Sequence, residues 1–380
     1  MLYFDHNATS PLLPQAKRAW LEAAEQFIGN PSSPHRLGAR ADAALEGARE
    51  KLAGFLGCAA MDIVWTSGAT ESNNMVFRHL AAVLPADAEV LVSAIEHPSS
   101  LAAAQLWLGN RARPIPAERC GAVALEWLEK ELSKRRAGAA VILAANNETG
   151  VLQPWREAMA LCRRREVLFF CDATQWIGKL PAQGLGGCDF VSASAHKFGG
   201  PRGVGFLKCP PGPGVTPLLV GGRQEEGRRA GTENVAGVLA MLAALAARES
   251  ALAEGEHQAR GAWRAEFEQT LLEELPGAEI VGAGAERLWN TVSALMPEAD
   301  CRQRWVVKLD KAGCAVSTGS ACASGQEEPS PVLAAMGFTP AEAGRALRFS
   351  SGWETTAVEW RALAGALVKV QQGMKPARTR

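Results

Sequence analysis

The residue best placed for covalent chemistry is Lys197, which follows an apolar strand and precedes a glycine-rich turn. Residues 192–197 read Ser-Ala-Ser-Ala-His-Lys, after the run Asp-Phe-Val at 189–191 and before the turn at 198–205. This order puts the amine of Lys197 at the carboxyl edge of a sheet, where open α/β proteins bind ligands. A lysine there can form a Schiff base with a carbonyl cofactor, because burial and neighbouring cations lower its pKa. Taken alone, Lys197 is more often an ordinary exposed lysine, so its role depends on the rest of the chain.

Polar side chains also follow three other apolar runs. The runs at 89–93, 141–145 and 167–171 are typical of parallel strands that are buried on both faces of a sheet. The carboxyl ends of such strands meet at one edge, so the polar residues after them should converge with Lys197 on one crevice. These residues are His97, Asn147, Asp172 and Gln175.

The segment 63–74 predicts a phosphate site. An apolar strand at 63–66 leads through the turn 67–70 into a helix that opens with Glu71. Backbone N–H groups and the positive end of the helix dipole bind phosphate at such a turn. Any strand-to-helix turn looks similar, however, and a plain helix cap fits this segment equally well when it is taken alone.

Together these groups meet the requirements of pyridoxal phosphate. The cofactor needs an amine for its aldehyde (Lys197), a carboxylate for its pyridinium nitrogen (Asp172) and an aromatic face against its ring (His97). Asp172 is the natural carboxylate, because at the end of a buried strand it would otherwise be an unpaired buried charge. Gln175 can donate to the ring oxygen. The expected phosphate ligands are Ala69, Thr70, Ser194 and His196.

A strand-end aspartate such as Asp172 is more commonly a cap or a metal ligand. No further His, Cys or Asp cluster lies near it in the sequence, so we expect no metal site. The pyridoxal phosphate interpretation therefore rests on the combination of residues and not on Asp172 alone.

The composition is that of a soluble globular protein with two domains. The chain has 380 residues, 47% of them hydrophobic and 21% charged, with a formal net charge of +0. This length exceeds one ordinary core, so we expect a large α/β domain at 15–250 and a small α+β domain from 1–14 and 251–380. The charge balance points to neither nucleic acid nor a membrane surface. The longest apolar run, at 235–247, is shorter than the roughly 20 residues that span a bilayer.

The cysteines indicate a reducing compartment. There are nine of them, which is an odd number, and they are scattered without a Cys-x-x-Cys pair. This pattern argues against a disulfide framework and against a zinc site. The N-terminus has no basic region followed by an apolar stretch, so we predict no signal peptide and a cytoplasmic location.

Hydrophobic periodicity predicts the remaining elements. We expect helices at 14–27 and 39–56, a long helix at 235–275 with possible breaks near Gly255 and Gly261, and strands at 288–296 and 305–309. The segment 221–234 is too rich in glycine and charge to be a core element. It is either a loop whose Thr232 reaches a phosphate or a solvated basic turn.

Two further residues in the last third could do chemistry. Cys322 lies in a segment, about 313–330, that consists almost wholly of small residues, so we expect an accessible thiol on a mobile loop. An incidental cysteine in a flexible loop is an equally good interpretation of Cys322 alone. Arg348 lies within an apolar strand at 346–350, and an inward arginine needs a carboxylate from the protein or from a substrate.

In the identity and the order of these motifs, the chain resembles the cysteine desulfurase family, which consists of pyridoxal-phosphate enzymes of the class V aminotransferase type. The resemblance covers nearly the whole length, and its motifs are jointly highly specific. The matching stretches are 5–11, 29–33, 66–74, Glu96-His97, 146–150, 172–175, His196-Lys197, 229–232, 320–322 and 348–350. The segment after Cys322, which ends at 328–333, resembles the longer-loop branch that serves iron–sulfur assembly.

The resemblance implies a fold and a mechanism. The fold is that of a fold-type I pyridoxal-phosphate-dependent transferase, with a large doubly wound, mostly parallel sheet domain and a smaller α+β domain. L-cysteine displaces Lys197, Arg348 and Asn147 hold its carboxylate, and Lys197 then moves the α-proton. His97 shuttles a proton at the substrate thiol, and Cys322 takes the sulfur as a persulfide while L-alanine forms.

The resemblance also implies partners. The protein would be a homodimer in which Thr232 reaches the phosphate in the partner subunit, and it would pass sulfur to an acceptor or an iron–sulfur scaffold protein. The alternatives are a selenocysteine lyase, another class V reaction that leaves Cys322 unused, or a non-catalytic binding protein. The intact Lys197, Asp172, His97 and Cys322 speak against the last of these.

Four residues depart from the family pattern. Ala195 stands where a glycine is usual before His-Lys, and Ser10 replaces a usual threonine. Arg223 interrupts a run that is usually three glycines, and Glu226 stands where a basic residue is common. None removes a chemical group from the mechanism, but Arg223 and Glu226 leave the local charge of that loop and the substrate preference open.

Overall fold

The fold was analysed in a computed structural model, which describes residues 1–134, 136–210, 215–298, 305–318 and 330–374. Its helices are α1 Pro14–Gln26, α2 Arg36–Leu56, α3 Ala69–Val83, α4 Pro98–Leu108, α5 Leu125–Ser133, α6 Trp155–Arg164, α7 Val235–Ala253, α8 Glu256–Glu274, α9 Trp305–Lys311, α10 Pro331–Ala335, α11 Pro340–Ala343 and α12 Ala357–Gln372. Its strands are β1 Leu2–Tyr3, β2 Ile63–Thr66, β3 Glu89–Ser93, β4 Ala112–Ile115, β5 Ala137–Val141, β6 Leu168–Asp172, β7 Phe190–Ser194, β8 Gly205–Lys208, β9 Glu279–Ile280, β10 Thr291–Leu295, β11 Cys314–Ala315 and β12 Ala346–Ser350.

The main sheet is doubly wound and mostly parallel, which confirms the expected fold class. Within the described ranges it has seven strands in the order β2-β8-β7-β6-β5-β3-β4, and only β8 runs antiparallel to its neighbours. Successive side chains of a strand point to opposite faces. Phe169 therefore packs with helices α2, α6 and α7 on one face, while Phe170 packs with α3 and α4 on the other. Burial on both faces explains the continuous apolar runs.

A smaller antiparallel sheet lies in the last third of the chain. Its order is β12-β10-β9, and helices α8, α9 and α12 cover it. Aromatic rings hold this layer together: Phe267 lies 5.4 Å from Phe349 and 4.7 Å from Trp360, measured between ring centroids. Phe4 lies 4.7 Å from Trp360, so the N-terminal segment belongs to the same cluster. The domain boundaries at 15 and 250 stay a prediction.

The strand predicted at 305–309 is wrong, because this segment forms helix α9. Trp305 and Leu309 are buried while Val307 between them is 45% exposed. Residues four apart share one face of a helix, whereas a strand would have buried Val307 together with both of them. The short run with two valines fits the spacing of buried residues in a helix and in a strand alike. Packing against α12 and β11 stabilises the helix.

The long helix predicted at 235–275 is two helices, α7 and α8. The break falls at Gly255, whose φ of 75° lies in the left-handed region that glycine favours, and Gly261 lies inside α8. Helix α7 has 19 residues, and by length and composition alone it could cross a membrane. It is 56% buried, and it packs against α1 and α2 as a core helix would.

A buried ion pair fixes the segment 221–234 to the sheet. Arg49 on α2 donates two hydrogen bonds to Glu225, at 2.9 and 3.0 Å, and the backbone N–H of Trp65 donates to the same carboxylate at 3.1 Å. The side chains of Arg49 and Glu225 are 7% and 1% exposed. Glu225 and Glu226 have φ values of 49° and 57°, which non-glycine residues adopt only when their surroundings impose it.

We expect Glu225→Gln to destabilise the protein by about 3 kcal/mol, because it leaves the buried Arg49 cation with only the exposed carboxylate of Glu46 as an ion-pair partner. The free energy of unfolding in urea measures this loss. Glu266→Gln is the matched control, since its ion pair with Arg361 is exposed and should contribute less than about 1 kcal/mol. Equal losses in the two variants would contradict a structural role for the Arg49–Glu225 pair.

Candidate active site

The register of the main sheet brings the predicted site residues to one edge. Strands β6 and β7 pair in parallel with Asp172 opposite Ser192, so both strands end at the same level. Lys197 follows β7 directly, in a single 3₁₀ turn at Ala195–Lys197. The amine and the carboxylate therefore lie at the carboxyl edge of neighbouring strands, as the sequence predicts.

Backbone carbonyls of the N-terminal segment hold the amine of Lys197. Its Nζ donates to the carbonyl oxygens of Asn7 at 2.7 Å and Ala8 at 2.8 Å. In return, the Ser10 hydroxyl donates to the carbonyl oxygen of Lys197 at 3.0 Å. Serine in place of the usual threonine thus keeps the hydroxyl that this contact requires.

Asp172 is a buried carboxylate held by neutral donors. It is 5% exposed, and it accepts hydrogen bonds from Asn73 Nδ2 and from the backbone N–H of Thr174, both at 3.0 Å. The Ser192 hydroxyl donates to Asn73 Oδ1 at 2.7 Å, which fixes the amide of Asn73 with its nitrogen toward Asp172. Among the described residues Asp172 has no ion-pair partner, so its charge is available to a protonated ligand nitrogen.

His97 presents a neutral ring to this carboxylate. It caps the N-terminus of α4, where its Nδ1 accepts from the backbone N–H of Ser99 at 3.1 Å. An accepting Nδ1 leaves the ring proton on Nε2. Burial lowers the pKa of His97; Asp172 opposes this shift, and the cation of Lys197 adds to it. The ring is therefore uncharged at neutral pH.

The pKa of Glu96, beside His97, is shifted in the opposite direction. It is fully buried, and burial together with the Asp172 carboxylate raises its pKa to about 8. Two carboxyl groups in one low-dielectric site cannot both ionise cheaply. Glu96 is therefore protonated at neutral pH and adds no negative charge of its own beside Asp172.

The predicted phosphate site coincides with a cavity of about 300 Å³ at the N-terminus of α3. Thr70, Ser194 and His196 line it, and the backbone N–H of Ala69 donates to Ser194 Oγ at 2.8 Å. Gly68 has a φ of 147°, and a Cβ there would lie 3.0 Å from Ser194 Oγ, so glycine permits the close approach. The sequence analysis missed the exposed Arg202, whose side chain also lines this cavity.

Gln175 and Asn147 complete the crevice. Gln175 is 4% exposed and its Nε2 donates to the carbonyl oxygen of Asn7 at 2.9 Å. The backbone oxygen of Asn147 accepts from Arg348 Nη1 at 2.8 Å. Asn147 Oδ1 and Thr174 Oγ1 are buried without a hydrogen-bond partner among the described residues. Orphan polar atoms of this kind are expected where a bound ligand supplies the missing partner.

Arg348 is 2% exposed and already has a protein carboxylate near it. Its Nη2 lies 2.7 Å from Asp5 Oδ1, so the inward arginine has the acidic partner that the sequence requires. Asp5 holds the guanidinium plane against Asn147, in the same crevice as Lys197. The predicted role of Arg348 toward a substrate carboxylate stays a prediction.

Cys322 lies outside the described residues, but its described flanks reach the crevice. Ser317 on one side pairs with Arg348 through backbone hydrogen bonds of 3.2 and 2.7 Å. Ser330 on the other side donates to Glu148 Oε2 at 2.5 Å, next to Asn147. Both chain ends of the segment that carries Cys322 are therefore attached beside the predicted substrate site. The sequence analysis did not identify Glu148 or Ser330.

Five of the described cysteines are free thiols that burial holds in their protonated form. Burial raises the pKa of Cys58 to about 11 and that of Cys162 to about 12, and it raises the pKa of Cys171 further. The pKa values of Cys209 and Cys314 are raised for the same reason. Protonated thiols are poor nucleophiles, so these five cysteines do not compete with Cys322 for that role.

The remaining departures from the family pattern have local explanations. Ala195 is fully buried, and a Cβ on Gly200 would lie 2.7 Å from its Cβ, so the glycine at 200 accommodates the extra methyl group. The side chain of Glu226 is 76% exposed and lies 3.6 Å from Arg228. Arg223 and Thr232 are exposed on the same segment. The local charge at Glu226 is thus solvated and partly balanced.

The residues present fit pyridoxal phosphate. The site offers an amine at Lys197, a buried and unneutralised carboxylate at Asp172, and the neutral, half-buried ring of His97. A cavity at a helix N-terminus lies next to this group. When bound, the pyridine nitrogen would supply the partner that Asp172 lacks among the described residues.

Comparisons with known proteins agree with this arrangement. Residues 2–363 match the family model Aminotransferase class-V. The chain is 40% identical over 354 residues to "Cysteine desulfurase" of Klebsiella pneumoniae, covering 92% of this chain and 87% of that protein. It is 35% identical over 361 residues to "Cysteine desulfurase IscS" of Dictyoglomus turgidum, covering 93% and 90%. A solved NifS-like protein from Rickettsia africae has a TM-score of 0.87 and 30% identity over 98% of this chain and 99% of that one.

The chain therefore belongs to the class V aminotransferase family and, within it, to the cysteine desulfurases. The match runs through both the large and the small sheet, so it covers the whole described fold. The resemblance seen in the sequence is confirmed at the level of the family.

We expect His196 to make the protein less stable as the pH falls from 6.5 toward 4. Burial, then the cations of Lys197, Arg202 and Lys179, lower the pKa of His196 from 6.5 to about 4. The unfolded chain therefore takes up this proton first, and stability that is present above pH 6.5 is lost through that window. The free energy of unfolding should depend less on pH in His196→Asn, and identical slopes in both proteins would contradict the assignment.

Proposed function

We propose that the protein is a pyridoxal-phosphate-dependent cysteine desulfurase that converts L-cysteine to L-alanine and receives the sulfur on Cys322 as a persulfide. The observation that carries the proposal is the placement of the Lys197 amine and the unneutralised Asp172 carboxylate at one sheet edge. Family membership supports the same activity. When bound, the cofactor withdraws electrons from the substrate carbon skeleton through its protonated ring.

The cofactor-binding roles follow from the contacts of the crevice. Asp172 would keep the ring nitrogen protonated, His97 would stack on the ring, and Gln175 would donate to the ring oxygen. The proposed phosphate ligands are Ala69, Thr70, Ser194 and His196; the last three line the cavity at the start of α3, and the backbone N–H of Ala69 donates to Ser194 Oγ. Neutral His196 donates a hydrogen bond there without adding a charge.

Arg348 and Asn147 are the proposed ligands of the substrate carboxylate. The guanidinium is planar with five N–H donors, and Asp5 fixes its orientation. Because Arg348 also donates to the backbone of Asn147, the two side chains keep a constant relation to each other. A substrate held there lies within the same crevice as the Lys197 amine, which moves the α-proton.

The sulfur step balances without an external oxidant. The Cys322 thiolate attacks the substrate sulfur, a sulfur–sulfur bond forms, and the carbon–sulfur bond breaks with its electron pair left on carbon. One enzyme thiol and one L-cysteine thus yield one persulfide and one L-alanine. His97, neutral and protonated on Nε2, is the proposed proton carrier at the substrate thiol.

We also propose a homodimer, a sulfur acceptor and a cytoplasmic location for the protein. A homodimer is supported by the exposed Leu219 and Val220, which lie next to the segment that carries Thr232. In such a dimer Thr232 would reach the phosphate of the partner subunit. The persulfide would pass to a sulfur acceptor or an iron–sulfur scaffold protein. A cytoplasmic location is supported by the free thiols of the described cysteines and by the need for reduced Cys322.

The first test compares wild type with Cys322→Ala in a single turnover with L-cysteine. We expect one persulfide per active site in the wild type and at least a hundredfold slower alanine formation in Cys322→Ala, because the nucleophile is gone. Cys120→Ala is the matched control, since Cys120 is a partly exposed described cysteine, and it should behave like the wild type.

The outcomes separate the alternative functions. Alanine formation at the wild-type rate by Cys322→Ala would favour a selenocysteine lyase or another class V reaction in which this cysteine is unused. Transamination with a keto acid and no persulfide would favour an aminotransferase. No turnover by the wild type, with the cofactor bound, would favour a binding protein.

A second test concerns the attachment of the segment that carries Cys322. Ser330 caps α10 and also donates to Glu148, whereas Thr339 caps α11 and contacts only its own capping box. Ser330→Ala and Thr339→Ala should each lose about 1 kcal/mol of stability from the cap. Only Ser330→Ala should slow persulfide formation, by about tenfold, because a strong hydrogen bond to a carboxyl group is lost.

Labelled sulfur on Cys322, followed in a single turnover, measures this rate. The change in visible absorbance on adding L-cysteine measures substrate binding, which should be the same in both variants. If the two variants formed persulfide equally fast, the Ser330–Glu148 contact would be structural only.

A further inference from the structure

A second lysine, Lys179, lies buried in the same crevice. It is 3% exposed, in the turn that follows β6, and its backbone carbonyl accepts from Trp289 Nε1 at 2.8 Å. Across the described ranges it forms no ion pair with a carboxylate. Lysines are almost never fully buried unless they are paired, so its position requires an explanation.

Two amide oxygens are the acceptors of the Lys179 amine. Its Nζ donates to Gln175 Oε1 and, at 3.1 Å, to Asn7 Oδ1. Burial, then the cations of Lys197 and Arg348, lower the pKa of Lys179 well below its ordinary value. A neutral amine keeps two N–H groups, which match the two amide oxygens, so either protonation state satisfies the contacts.

These contacts determine which way the two amides face. An N–H group bonds to an amide oxygen and not to an amide nitrogen, so the nitrogen of each amide must point away from Lys179. Gln175 Nε2 uses one N–H on the carbonyl oxygen of Asn7, at 2.9 Å. Its second N–H has no acceptor among the described contacts and is therefore available to a ligand.

The same arrangement holds Asn7. Its Nδ2 donates to Thr291 Oγ1 at 2.9 Å and to the carbonyl oxygen of Asn147 at 3.2 Å. Its backbone oxygen accepts from Lys197 Nζ at 2.7 Å. Lys179 therefore contacts Gln175, the proposed donor to the cofactor ring, directly, and it is linked to the reactive amine of Lys197 through Asn7.

We propose that Lys179 is a positioning residue that fixes the amide of Gln175 with its nitrogen toward the cofactor and fixes Asn7 against Lys197. This inference rests on the proposed function, because it assigns the N–H of Gln175 to the ring oxygen. Lys179 acts through these two amides and does not itself bond to the reacting atoms.

The test is Lys179→Met in the holoenzyme, with the visible absorbance of the bound cofactor as the readout. The thioether has no N–H donor, so the Gln175 amide is free to turn over. We expect a shifted absorbance maximum and about tenfold faster release of the cofactor, the effect of losing one hydrogen bond to a ligand. Lys208→Met is the matched control. Lys208 lies on strand β8, it is also buried, and its Nζ donates to the carbonyl oxygen of Cys188 at 2.7 Å. The control should lose stability without a change in the spectrum.

A double-mutant cycle with Gln175→Leu separates positioning from general damage. If Lys179 acts through Gln175 as well as through Asn7, then Lys179→Met should change the spectrum markedly less in the Gln175→Leu background than in the wild-type background. Equal changes in both backgrounds, or no change in either, would overturn the proposal.

Lys179→Gln keeps two N–H donors on a shorter side chain and provides the second variant. It should retain the cofactor better than Lys179→Met, and if Lys179→Met does not fold, the same cycle is run with Lys179→Gln. A wild-type protein that takes up no pyridoxal phosphate would refute the proposed function itself. A loaded wild type with an unaltered Lys179→Met spectrum would refute only the role of Lys179.

Discussion

The complete pairing of one buried asparagine, Asn7, is the constraint on which the site depends. This residue is 1% exposed, and an amide buried without partners would cost several kilocalories per mole. Each of its polar groups is paired, and the partners come from the loops that follow strands of the main sheet and from the small sheet with the residue before β10. These partners are Asn147, Gln175, Lys179, Lys197, Asn290, Thr291 and Ser350. Displacing Asn7 would therefore disturb the reactive amine and the small sheet at once.

The sequence could predict the residues that lie at strand ends. A parallel sheet brings the ends of its strands to one edge by geometry alone, so Asp172 and Lys197 could be assigned before any coordinates were available. Asn7 and Lys179 could not be found in this way, because they lie in irregular segments with no period. Their role depends on contacts between residues more than 100 positions apart, which one sequence does not reveal.

The error at 305–309 has a related cause. A five-residue, mostly apolar run fits one turn and a half of helix as well as it fits a strand, and only packing against α12 and β11 decides. The Glu148–Ser330 contact is a similar case, since neither residue carries a local signal for the other. Local chemistry was therefore more predictable than the contacts that hold it in place.

Several titratable side chains around the crevice are uncharged because they are buried, and not because an oppositely charged side chain neutralises them. Burial protonates Glu96 and leaves His97 and His196 neutral, so these neighbours add no charge beside Asp172. Preorganised dipoles such as those of Asn73 and Ser192 then take the place of water around it. In a low-dielectric crevice this arrangement makes one negative charge effective over a longer distance than it would be in solvent.

The contact between Asn7 and Ser350 also orders events during synthesis. The two residues are 343 positions apart, so the N-terminal segment emerges first and waits for nearly the whole chain before it can dock. Long-range closures of this kind slow folding and leave polar groups exposed in the meantime. A nascent chain that already contains Lys197 therefore has the amine, but Asn7 is not yet held in its final position beside it. The contacts around Lys197 are therefore complete only after β12, which carries Ser350, has been made.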